Sequence, residues 1–95
     1  MLILFSQNLE PKLTKISDIN SKMIDNYVKI SGEVTKIKDY DALLAMTVND
    51  NTENITVITP KINISKGSKI EVIGKVTEYK GTLEVEATKI QNKVN

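Results

Sequence analysis

The sequence contains no cysteine, no histidine and no tryptophan. Without cysteine there is no disulfide, no thiol nucleophile and no thiolate metal site. Without histidine, the commonest general base and the commonest zinc ligand are both missing. Arginine is absent as well, and all 13 cations are lysines. Set beside the abundance of Ile and Asn, this reads as an AT-rich coding bias and carries no functional weight. Strong charge is lacking too: the formal net charge is +1. Any binding to nucleic acid must then rest on a local patch and be weak and salt-sensitive. Long apolar runs are missing. The short run at the start, Met1–Phe5, has no basic residues before it and no cleavage pattern after it. It is too short for a signal-peptide core or a membrane span. It reads either as an extended piece lying on the domain or as a surface for a protein partner or self-association. A cytoplasmic protein with no membrane contact is expected.

What is present is enough for one small domain. The chain has 95 residues, 40% hydrophobic and 26% charged, the balance of an ordinary folded domain with a core of Ile, Val and Leu. The stretch Tyr27–Lys38 (Y-V-K-I-S-G-E-V-T-K-I-K) sets the pattern. Val28, Ile30 and Val34 alternate with Lys29, Ser31, Glu33 and Thr35, the period of a half-buried strand. Gly32 lies on the apolar side, where a bend or bulge is expected. The alternation slips at Ile37, which predicts a register change near Lys36. Ile70–Thr77 repeats the pattern, with Gly74 in the place of Gly32. Two strands with the same local task, side by side where a barrel closes, explain this better than an internal repeat.

The rest of the chain reads as further strands and tight turns. Ser6–Lys15 is a connector. Ile16–Asn26 is a short helical turn, capped by Ser17 or Asp18, whose Ile16, Ile19, Met23 and Ile24 cover one barrel end. Ala42–Val48 and Ile55–Thr59 are strands two and three, joined by a hairpin over Asn49–Asn54. Leu44, Met46, Val48, Ile55 and Val57 face inward; Leu43, Ala45, Thr47, Thr56 and Ile58 face outward. Pro60 stops strand three. Lys61–Lys66 fits either a strand through Ile62 and Ile64 or one helical turn opened by Thr59-Pro60. Ser68–Tyr79 and Thr82–Ile90 are strands four and five about a Lys80-Gly81 turn, with Leu83, Val85 and Ala87 inward. Five strands with little helix predict an all-β domain, closed or nearly so.

Three motifs resemble the OB-fold nucleic-acid-binding domains, of the anticodon-binding and archaeal replication protein A types. They are V-K-I-S-G-E-V at 28–34, V-N-D-N-T-E-N-I-T-V at 48–57, and K-G-S-K-I-E-V-I-G-K-V-T-E-Y-K-G-T-L-E-V-E-A-T-K-I at 66–90. Two departures stand out. Glu53 occupies the usual hairpin glycine, and Pro60–Lys66 is short for the helix that often joins strands three and four. Ile62, Ile64 or the N-terminal turn would then plug the barrel. The resemblance implies a five-stranded Greek-key barrel with a short N-terminal helical turn. It divides the chain into an extension (1–15), the OB-fold domain (16–90) and a tail (91–95).

The resemblance further implies single-stranded DNA or RNA lying across strands two and three, gripped by the loops after strands one and four. Lys36, Lys38 and Tyr40 would serve at the first loop, and Tyr79 and Lys80 at the second. Thr47, Thr56 and Ile58 would lie between them, with Leu43 and Lys61 near the edge. Any single lysine reads more readily as solvated surface, and Tyr79 equally as a turn anchor; Tyr27 reads as structural. An exposed Leu43/Ile58 face would instead suit a protein partner. No cofactor or metal is implied. The carboxylate pairs Asp39/Asp41 and Asp50/Glu53 sit in turns, where Asp is favoured for backbone reasons, and Asp50–Glu53 lacks a calcium-loop ladder. No enzyme is expected.

Overall fold

The computed structural model describes residues 10–93; the Met1–Phe5 run lies outside them. Five strands form, β1 Tyr27–Asp39, β2 Leu43–Asn49, β3 Asn54–Pro60, β4 Lys69–Tyr79 and β5 Thr82–Asn92. They close into a barrel in the order β1-β2-β3-β5-β4. Neighbours run antiparallel except β3 and β5, which pair in parallel over Thr56–Ile58 and Glu84–Glu86. The alternation read from the sequence becomes the barrel wall. Ile30, Val34, Met46, Val48, Val57, Ile70, Val72, Val76 and Val85 are fully buried.

β1 belongs to two sheet surfaces. Its first half pairs with β4 from Tyr27 to Glu33 and its second with β2 from Glu33 to Asp39. The register shifts between Val34 and Lys36, where the sequence loses its period. One extra residue, Thr35, bends the strand and turns Lys36 and Lys38 to the outer face. Gly32 makes the crossing possible: a Cβ there would lie 2.5 Å from the Asn49 carbonyl oxygen. Gly74 has the same function on β4. A Cβ would meet the Glu86 carbonyl oxygen and lie 2.7 Å from Val85 Cγ1, beside the register shift between Ile73 and Gly74 in the β4–β5 ladder. Val28 faces Gly74 and Gly32 faces Ile70, so both glycines sit on the β1–β4 seam.

The barrel ends are closed by unlike means. In place of one helical turn there are two 3-10 turns, Ile16–Asp18 and Ser21–Met23. Neither Ser17 nor Asp18 caps the first. Its amides are met from the distant β2–β3 turn: Ile16 N–H donates to Asp50 Oδ2 (2.8 Å) and Ser17 N–H to Thr52 Oγ1 (3.1 Å). Burial would raise the Asp50 carboxyl, but hydrogen bonds from Ile16, Thr52 and Glu53 outweigh it and hold it below its ordinary range. Asn20 caps the second turn, accepting from the Lys22 amide at 2.9 Å. Ile16 is thereby seated in the core at 3% exposure. At the other end the connector after β3 is neither strand nor helix. Ile64 packs against the core there, while Ile62 remains exposed. β5 runs on through Gln91 and Asn92, two residues assigned to the tail by sequence.

Candidate functional site

Register alone builds a platform on the outer face. Lys36 pairs with Thr47, Thr47 with Thr56, and Thr56 with Glu84. One step along the strands, Lys38 pairs with Ala45, Ala45 with Ile58, and Ile58 with Glu86. Two parallel rows thus cross β1, β2, β3 and β5. Both begin at a lysine and end at a glutamate. With strands about 4.8 Å apart, cationic and acidic edges stand about 14 Å from each other. Between them is a floor of threonine, alanine and isoleucine. Lys36, Lys38 and Tyr40 rim an open groove of about 270 Å³ over Thr47 and Thr56, and Glu84 lines its far side.

The first loop is held firmly. Asp39 Oδ1 accepts from the Asp41 amide at 2.8 Å, which supports the positive φ of Asp41. The Tyr40 amide donates to the Leu43 carbonyl (2.9 Å) and the Lys61 amide to the Ala42 carbonyl (3.1 Å). Lys61 Nζ lies 3.0 Å from Asp39 Oδ2. The Lys61 ammonium and the Asp41 amide together lower the Asp39 carboxyl from its ordinary value. The Tyr40 ring is left 61% exposed at the groove mouth.

Of the residues picked out in the sequence, Lys36, Lys38, Tyr40, Thr47 and Thr56 share this groove. Ile58 is in the adjoining row. Lys61 is already paired with Asp39, so a phosphate there would compete with a carboxylate. Tyr79 and Lys80 occupy the β4–β5 turn, outside the groove lining. The Lys80 ammonium stands 5.3 Å from the Tyr79 ring centroid. Lys80 and Gly81 both have positive φ, the tight turn expected there. Tyr79 is 60% exposed and lies two residues beyond Thr77, the β4 partner of Glu84. Exposed tyrosines therefore stand at opposite ends of the platform, one at the lysine edge and one past the acidic edge. Leu43 faces Pro60 as Ala45 faces Ile58, making an apolar quartet next to the groove.

Sequence reasoning missed the acidic edge. Alternation shows Glu84 and Glu86 pointing outward, but only the parallel β3–β5 pairing brings them beside Thr56 and Ile58. The Glu84 side chain makes no hydrogen bond or ion pair among the described residues, and burial raises its carboxyl above the ordinary value.

Comparisons with known proteins agree with the fold. The chain is 30% identical over 92 residues to an uncharacterised protein of Methanocaldococcus jannaschii, covering 86% of this chain and 12% of that protein. The fold matches an aspartyl tRNA synthetase from Entamoeba histolytica with a TM-score of 0.78 at 16% identity, over 86% of this chain and 21% of that one. It also matches a replication protein A heterotrimer bound to single-stranded DNA, with a TM-score of 0.67 at 15% identity, over 73% of this chain and 58% of that one. A family model described as an OB-fold nucleic acid binding domain, of the tRNA anticodon type, matches residues 28–92. With that match spanning most of the barrel, the chain belongs to the OB-fold nucleic-acid-binding domain family.

Proposed function

We propose that this domain binds single-stranded nucleic acid on the β1-β2-β3-β5 platform, without catalysis. The observation that carries the reading is the polarised pair of rows. Lys36 and Lys38 present ammonium groups along one edge, where phosphates are attracted. Glu84 and Glu86 line the opposite edge, where phosphates are repelled. A strand laid across the floor is thereby turned one way: backbone toward β1, bases toward β5. Tyr40 and Tyr79 then offer ring faces for stacking, worth about 1–3 kcal/mol per base. The glutamates accept hydrogen bonds from base amino groups, as carboxylates do from cytosine N4. With few cations and few aromatics, the binding is weak and salt-sensitive.

The test is fluorescence anisotropy with labelled single-stranded DNA and RNA. Binding is expected at about 100 μM protein or below in low salt, within the range of non-specific affinities. No binding under those conditions overturns the proposal. Lys38→Ala with Tyr40→Ala should weaken binding more than Lys12→Ala with Lys15→Ala, and equal losses would place the strand elsewhere.

A second reading rests on the apolar quartet of Leu43, Ala45, Ile58 and Pro60, which suits a protein partner. It takes over if the anisotropy experiment fails while Leu43→Asp abolishes capture of a partner that the unaltered domain retains.

A further inference from the structure

A pocket of about 400 Å³ opens where the platform meets the barrel end covered by the 3-10 turns. Segments far apart in sequence wall it. Ile19 follows the first 3-10 turn, Glu53, Asn54 and Ile55 lead from the hairpin into β3, and Thr82 and Leu83 begin β5. Small-ligand sites span about 300–1,000 Å³, and this volume falls among them. The walls are held in place. The Ile16 and Ser17 amides tie the turn to the hairpin through Asp50 (2.8 Å) and Thr52 (3.1 Å).

The pocket continues the platform. Asn54 precedes Thr56 by two residues on β3, and Thr82 precedes Glu84 by two on β5, so both stand on the outer face one row beyond the groove. Tyr79 pairs with Thr82 across the β4–β5 ladder, which sets its exposed ring beside the mouth. A strand lying with its bases toward β5 therefore has the pocket on its base side.

The lining has the chemistry of a base site. Ile19, Ile55 and Leu83 give an apolar floor on which a base ring can lie. Two polar groups from neighbouring residues border it. Asn54 Oδ1 accepts from Asn49 Nδ2 at 2.8 Å, which leaves the amide nitrogen as the donor of that side chain. Glu53 Oε1 accepts from the Asn54 backbone amide at 3.0 Å, which fixes the carboxylate, an acceptor, next to that donor. A base matched to this pair shows an N–H beside an acceptor. Cytosine does so with N4 and N3, and adenine with N6 and N1. Thymine and uracil flank their single N–H with carbonyls, which a carboxylate repels.

We propose that this pocket takes one base of the bound strand and selects cytosine or adenine over thymine or uracil, with Glu53 and Asn54 reading the base edge. The site depends on the strand lying on the platform as proposed, and it adds base selection to that binding. Glu53 thereby has a task that a glycine at this hairpin position could not perform.

The test uses the whole chain with labelled Ile and Leu methyl groups, titrated by NMR with oligo(dC) and oligo(dT) of about 10 nucleotides, within the span of one OB-fold. With oligo(dC), the Ile19 and Leu83 methyl signals should shift together with Ile58 on the platform, while Ile64 at the opposite barrel end should not. Oligo(dC) should bind more tightly than oligo(dT) in anisotropy titrations. Glu53→Gln keeps an acceptor for the Asn54 amide but gives up the charge, and should cut that preference by about threefold or more. Binding that moves Ile58 while Ile19 and Leu83 stay fixed would overturn the pocket and leave the platform standing. An unchanged preference in Glu53→Gln would do the same. No binding of either oligonucleotide would overturn pocket and platform together.

Discussion

At the scale of single residues, Asp50 and Glu84 show how placement divides two carboxylates between structure and surface chemistry. The Asp50 carboxylate accepts from four backbone or hydroxyl groups on three residues and pins the 3-10 turn that seats Ile16. The Glu84 side chain has no such partner among the described residues and is raised by burial alone. It faces Thr77 on β4, Thr56 on β3 and Thr47 on β2, with Lys36, Lys38 and Tyr40 across the groove. A raised carboxyl takes up its proton before ordinary carboxylates as pH falls. Each proton gained removes a negative charge from the surface proposed to hold a polyanion. Affinity for oligo(dT) should therefore rise as pH is lowered from neutrality toward the carboxylate range. Glu84→Gln should bind oligo(dT) about two- to threefold more tightly at neutral pH, the size expected for one charge about 10 Å from a phosphate in water. The variant should also lose most of that pH dependence and narrow the preference for oligo(dC) over oligo(dT). Anisotropy titrations at several pH values read all three, and a variant indistinguishable from the parent would remove Glu84 from the site.

At the scale of elements, the glycines on β1 and β4 govern where strands can cross. Ala at position 74 would force its Cβ against the Glu86 carbonyl and Val85 Cγ1, so β5 must shift or the ladder must open. Gly74→Ala should cost about 1–3 kcal/mol, as overpacking does. That is about 5–20 °C in Tm for a domain of this size, measurable by thermal unfolding followed by circular dichroism. A Tm within about 2 °C of the parent would contradict the crowding. These glycines, the inward residues of β2 and β3 and the slip after Val34 were legible in the sequence because each is a local signal: a period, a break in it, or a residue without a side chain. The cap of the first 3-10 turn was misassigned because its acceptors, Asp50 and Thr52, lie far along the chain. The connector after Pro60 could not be decided because its two isoleucines fit either period. That Lys36 and Lys38 share an outer face was legible for the same local reasons. The glutamate edge was not, because parallel pairing of β3 with β5 leaves no mark in either strand.

At the scale of the molecule, a net charge of +1 gives no long-range pull on nucleic acid, so attraction has to come from a few lysines acting at short distance. Lys61 is committed to Asp39 at 3.0 Å and Lys29 lies between Glu10 and Glu71. Lys36 and Lys38 make no ion pair among the described residues, and Lys80 sits over Tyr79 at the far turn. On the proposed reading this distribution offers about two to four phosphate contacts. For a single strand each neutralised phosphate contributes about −0.7 to the slope of log K against log salt, so the whole slope should fall between about −1.5 and −3. Lys36→Ala and Lys38→Ala should each flatten it by about 0.7, whereas Lys61→Ala should flatten it less, because removing that ammonium also exposes the Asp39 carboxylate it now neutralises. Anisotropy titrations from about 20 to about 200 mM salt resolve these differences. A slope steeper than about −5 would demand more cations than the platform presents and would move the binding surface to another face of the barrel.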